Sequence, residues 1–209
     1  MKQQLEKQIT DRRIQKTRQG LQDAMYALIL EKGYEAITVQ DVIDRANVGR
    51  STFYAHFQDK EDLLLSGVEV LWKQLEEHLL VETVSEEDIW KVSQSMFQHA
   101  QSQRSMYKAL AGKQGGNIAL KLIERNLYQI VFRHLNDELS KRKSTFPSEI
   151  LTRHMISSFI SLLTWWLDSD APYSAAQMNE FYQQLIGCAV ESLLLSSPPV
   201  TNYRNDAGV

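Results

Sequence analysis

The sequence is poor in the residues that cross-link a small chain or keep it unfolded. Cys188 is the only cysteine in 209 residues, so no disulfide can close within the chain and a four-cysteine zinc site is excluded. Nine glycines and four prolines against 43% apolar residues exclude a disordered chain and leave enough material for a sizeable core. Long hydrophobic runs are missing too. The longest apolar-rich stretch, Met155 to Leu167, has 13 residues and includes three serines and a threonine, short of the roughly 18 needed to span a bilayer. Met1 to Asp11 is polar and charged, so neither a secretory signal nor membrane association is expected, and the lone thiol suits a reducing cytoplasm. Enzyme motifs are absent as well: there is no phosphate-cradling glycine loop, no G-x-S-x-G elbow and no HExxH pair, and the five histidines are scattered. His134, Asp137 and Glu138 share a helical face without a second histidine one turn away, which reads as a solvated face, so no metal or cofactor is expected.

Charge is unevenly spread. Residues 1–60 carry ten Lys/Arg against eight Asp/Glu, whereas residues 61–209 carry thirteen against eighteen. Six of the basic groups (Lys2, Lys7, Arg12, Arg13, Lys16 and Arg18) fall within the first 18 residues, a basic arm suited to phosphate contacts.

Apolar residues recur at three and four, which predicts helices nearly throughout and no strand. Leu21, Ala24, Met25, Leu28 and Ile29 line one face of a first helix, from about Asp11 to Lys32, stopped by Gly33. Thr38 and Asp41 have capping-box spacing at the start of a second helix buried through Val39, Val42, Ile43 and Ala46. Asn47 tolerates a left-handed turn, and a short third helix covers Gly49 to His56. Asp59 caps a fourth, about Lys60 to Leu80, with Leu64, Val68, Leu71, Leu75 and Leu79 as its apolar positions. Beyond it the pattern predicts helices from a Ser85 cap to Gln101, over Ser105 to Leu110, from Asn117 to Leu139 after an interruption at Gly115 and Gly116, over Ser148 to Asp168, and from Ser174 to Leu195. The expected fold is therefore all-α with about nine helices, a helix-turn-helix module in residues 1–59, a larger helical unit in 60–197 and a flexible tail in 198–209.

The chemistry concentrates in Thr38 to Lys60. With Phe53 and Phe57 turned inward, Ser51 and Ala55 face away and Thr52 and Tyr54 lie on the flanks, while Arg50 can swing out from the first turn. A surface with a guanidinium, two hydroxyls and a phenol but no acid suits the major groove of DNA. Arg50 can grip a guanine edge or a phosphate, and Thr52, Tyr54 and Lys60 can donate to phosphate oxygens.

These residues resemble the TetR family of bacterial transcriptional regulators. The matching pattern is Gly33-Tyr34, Thr38-Val39, Ala46-Asn47-Val48, Ser51-Thr52-Phe53-Tyr54, His56-Phe57 and Lys60-Glu61 followed by Leu63 and Leu64. Asn47 stands where glycine is usual, and Gly49 where a serine or threonine often caps the third helix. The resemblance implies that Arg50, Ser51, Thr52 and Tyr54 face the groove of double-stranded operator DNA, with Thr38, His56 and Lys60 on the backbone. It also implies a homodimer joined by the last two helices and a small-molecule effector held by the C-terminal unit. On that plan the interface comprises Phe159, Leu163, Leu167, Phe181, Gln184, Leu185, Cys188, Ala189 and Ser192. Pocket candidates are Trp90, Met96, Phe97, Tyr107, Tyr128, Phe132, His154, Trp165 and Trp166, which favour an apolar or aromatic ligand. The expected function is a ligand-released repressor on the nucleoid. Its rivals are an activator, a ligand-independent DNA binder and a protein-interaction module on the same fold.

Overall fold

The computed structural model describes residues 2–82, 89–110, 114–169 and 171–195. These form α1 (Lys2–Lys32), a 3-10 turn (Tyr34–Ala36), α2 (Val39–Ala46), α3 (Arg50–His56), α4 (Lys60–Glu82), α5 (Ile89–Ser102), α6 (Arg104–Leu110), α7 (Gln114–Lys141), α8 (Ser148–Asp168) and α9 (Ala175–Leu195), with no strand among the described residues. The expected Ser85 cap and tail 198–209 lie outside them, as do the side chains of Lys2, Lys7, Leu75 and Leu79.

Local chemistry accounts for the short elements. The Thr38 hydroxyl accepts from Asp41 N while the Asp41 carboxylate accepts from Thr38 N, closing the capping box that starts α2. Asn47 ends α2 in the left-handed region at φ 52°, as its short amide side chain allows. Asp59 Oδ1 accepts from Glu61 N and Asp62 N to open α4, and before α9 Ser174 and Gln177 bond reciprocally, each side chain accepting from the other's backbone N, as Thr38 and Asp41 do.

Two expectations about element ends are corrected. Helix α1 begins before Asp11, so the basic stretch is part of the helix rather than an arm beside it. Gly115 and Gly116 lie inside α7 rather than breaking it. Tertiary contact overrides glycine's weak helix propensity there: a Cβ on Gly115 would sit 2.7 Å from the Tyr34 ring, and Gly115 N donates to Glu35 Oε1 at 3.3 Å.

Burial divides into two cores that meet along α4. The first gathers Leu21, Met25, Leu28 and Ile29 of α1 with Tyr34, Val42, Ile43, Phe53, Phe57, Leu63 and Leu64. The second joins Trp72 to α5, α7, α8 and α9 through Phe97, Leu135, Phe159, Leu163, Trp166 and Tyr182. Val68 packs against both, so the long helix is the shared beam. Trp72 takes the buried place expected for Leu71, which is 44% exposed. No helix among the described residues is long and apolar enough to cross a membrane.

Candidate functional site

The reading face is built by anchoring Phe53 and Phe57 in the first core, which fixes the rotation of α3. Arg50, Ser51, Tyr54 and Ala55 are then exposed and Thr52 is half-buried on the flank. The Arg50 guanidinium lies 5.9 Å from the centroid of the exposed Tyr54 ring, so both side chains rise from one side of the helix. Gly49 provides the first turn with no side-chain cap. On α1, Arg12, Arg13 and Lys16 are exposed.

The backbone-contact candidates are placed differently. Lys60 turns inward: its Nζ donates to Tyr34 O at 3.2 Å and Ile37 O at 2.9 Å and lies 4.5 Å from the Tyr34 ring centroid. That cation ties the 3-10 turn to the start of α4. Arg18 is also drawn in, donating to His56 O and Ser66 Oγ while its guanidinium lies 4.5 Å from the centroid of Phe57. Two acceptors and an aromatic face hold the half-buried side chain against the module. Thr38 is exposed, with its hydroxyl donating to Asp41 Oδ2, and His56 is half-buried. The Asp41 carboxyl is held far below its ordinary range by the Thr38 hydrogen bonds and by Lys32 at 2.9 Å.

A cavity of about 470 Å³ opens between the two cores. Its wall includes Met25, Tyr26 and Ile29 of α1, Leu64, Val68 and Trp72 of α4, Met96 and His99 of α5, Met106 and Tyr107 of α6, and Ala119 and Ile123 of α7. Of the nine pocket candidates it contains Met96 and Tyr107 alone. Phe97 and Trp166 are fully buried in the second core, Trp90 packs edge-on to Tyr182, and Tyr128 stacks on Phe132. His154 and Trp165 face solvent. The candidates are spread over α5 to α8, whereas the cavity lies at the α1–α4 seam. The clue available there was three methionines, Met25, Met96 and Met106, on three different helices.

The expected dimer residues also separate into two groups. Phe159, Leu163 and Leu167 are buried in the protomer's own core, because α5 and α9 cover that side of α8. Phe181, Gln184, Leu185, Cys188, Ala189 and Ser192 are exposed, Leu185 by 69%. On α8 the exposed apolar positions are Ile150 and Trp165. Glu138 is taken by Lys141 at 2.9 Å and Arg142 at 3.6 Å.

Comparison with known proteins agrees with this layout. The profile of bacterial regulatory proteins of the tetR family matches residues 21–66, and that of a transcriptional regulator C-terminal region matches residues 87–187. The chain is 39% identical over 77 residues to the uncharacterized HTH-type transcriptional regulator YxbF of Bacillus subtilis, a match covering 36% of this chain and 20% of YxbF. A putative TetR-family regulator from Syntrophomonas wolfei superposes with a TM-score of 0.72 at 21% identity, over 88% of this chain and 99% of that one. A TetR regulator from Streptococcus agalactiae does so at 0.65 and 29% identity, over 86% and 98%.

Proposed function

Because the chain belongs to the TetR family and is a DNA-binding transcriptional regulator rather than an enzyme, we propose that it is a cytoplasmic repressor that binds a pseudo-palindromic operator as a homodimer and is released by a small effector. The observation that carries this reading is the face of α3, where Arg50, Ser51 and Tyr54 stand exposed over a helix pinned by buried Phe53 and Phe57. In the two-fold arrangement, α3 of each protomer enters successive major grooves roughly 34 to 36 Å apart. Arg50 reads a base edge or grips a phosphate, while Ser51, Thr52 and Tyr54 donate to phosphate oxygens. The apolar positions that α8 and α9 leave to solvent, Trp165, Phe181 and Leu185 foremost, form the dimer contact. In this reading residues 1–59 are the reading module and 60–197 the regulatory one, with the cavity between them as the effector site. A ligand there touches α1 and α4 at once, and so resets the spacing of the two reading helices.

The test is a gel shift on genomic fragments followed by two variants. Arg50→Ala is expected to weaken operator binding by about 1 to 3 kcal/mol while leaving a folded dimer. Unchanged operator affinity would remove α3 from the groove. Leu185→Arg, at a position exposed in the protomer, is expected to place an unpaired charge in the interface, yielding monomers in sedimentation and losing operator binding.

A further inference from the structure

The cavity between α1 and α4–α7 holds polar groups that the fold itself does not use. Tyr107 and His99 stand ring to ring on its wall, with centroids 6.2 Å apart and planes at 83°. Among the described residues, neither the Tyr107 hydroxyl nor the His99 ring has a hydrogen-bond partner. A half-buried phenol on a cavity wall with no protein partner leaves its hydroxyl open to the polar atom of a ligand. Burial pushes the Tyr107 hydroxyl up to about 12, keeping it a donor, and pulls His99 below its ordinary value, keeping it uncharged.

The rest of the wall decides the charge and shape of the occupant. Met25, Ile29, Trp72, Met96, Met106 and Ile123 give an apolar lining suited to an aromatic ring. No lysine or arginine is among the described lining residues, and the one formal charge there is Asp23, exposed on α1. An anion entering this space loses its hydration, meets no cation and passes a carboxylate. At the rim the Tyr26 hydroxyl donates to Gln103 Oε1 at 3.0 Å, tying α1 to the α5–α6 junction beside the occupant. We propose that the cavity binds an uncharged aromatic molecule bearing a hydroxyl or carbonyl oxygen, with its oxygen on Tyr107 and His99 and its ring against Trp72 and the methionines, and rejects the carboxylate of the same ring. This rests on the effector reading above and gives that site its ligand class.

Isothermal titration at pH 7 with 2-naphthol and 2-naphthoate tests it, since the two share a ring and differ in charge. The naphthol is expected to bind at least tenfold more tightly. Tyr107→Phe should weaken naphthol at least fivefold without lowering the melting temperature, and Asp23→Lys, at an exposed position, should narrow the preference by raising naphthoate affinity. Equal binding of both probes, no heat from either, or a Tyr107→Phe protein that binds naphthol as tightly as the parent would each overturn the proposal. Naphthol that binds with this selectivity yet leaves operator affinity unchanged upholds the ligand class and counts against release as its consequence.

Discussion

The two cores are held together by different means. In the first, the elements that matter most for reading are only eight and seven residues long, too short to be stable as isolated helices. They are fastened by a capping box and by cations on backbone carbonyls, Lys60 on Tyr34 and Ile37 and Arg18 on His56. In the second, helices of 28, 21 and 21 residues pack lengthwise, and Phe97, Phe159, Trp166 and Tyr182 interlock at ring centroid separations of 4.9 to 6.4 Å. Long helices can fix their own positions by burying a face. Short ones need polar ties that fix an angle, and the angle of α3 is what a DNA groove measures. The same two cations that strengthen the reading module are thereby turned toward its own carbonyls.

Two substitutions test that contrast. Trp166→Ala removes a fully buried ring from the centre of the aromatic cluster and is expected to cost roughly 3 to 5 kcal/mol, a fall of about 10 °C in the melting temperature followed by circular dichroism. A loss no larger than that from Lys60→Ala would mean that aromatic packing is not what holds the second core. Lys60→Ala removes the side-chain donor from the Ile37 carbonyl and the second donor from the Tyr34 carbonyl, which keeps Ile37 N, and is expected to cost roughly 1 to 3 kcal/mol of stability. Operator affinity should fall with it because α3 is less firmly held, but the dependence of binding on salt should keep its slope. A slope flatter by about one unit would instead place Lys60 on a phosphate.

What was legible in the sequence was what is decided locally. Thr38 and Asp41 are three residues apart, Asn47 carries its own conformational preference, and Phe53 and Phe57 share a helical face, so the reading helix and its exposed residues followed from spacing alone. The family resemblance rested on the same segment. The inward turn of Lys60 and Arg18 has no signal in the sequence, where a cation carries no direction. The carbonyls that claim them lie across the fold, at Tyr34, Ile37 and His56. On α8, apolar residues on nearly every side could not distinguish the protomer's own core from a partner, and Phe159, Leu163 and Leu167 fell to the core because α5 and α9 reach them first. The cavity escaped for a similar reason: it exists only where α1 and α4 converge on α5–α7, and no single helix announces it.

The smallest effect expected separates two glycines that sequence alone treats alike. At Gly115 an added Cβ would lie 2.7 to 2.9 Å from three atoms of Tyr34, the residue that carries the Lys60 contact, so any side chain there pries α7 from the reading module. Gly49 is different. Its backbone is extended at φ −76°, a conformation open to every residue, and an added Cβ would meet Thr52 Oγ1 at 3.7 Å and Ser51 Oγ at 3.9 Å, ordinary contacts. Serine at this N-cap can accept from the first-turn N–H groups that no side chain now satisfies, and it reduces the freedom of the unfolded chain. Each contribution is a few tenths of a kcal/mol, so Gly49→Ser is expected to raise stability by about 0.5 kcal/mol, or one to two degrees of melting temperature. A neutral or lower melting temperature would show that the first turn of α3 is already satisfied without a side-chain cap.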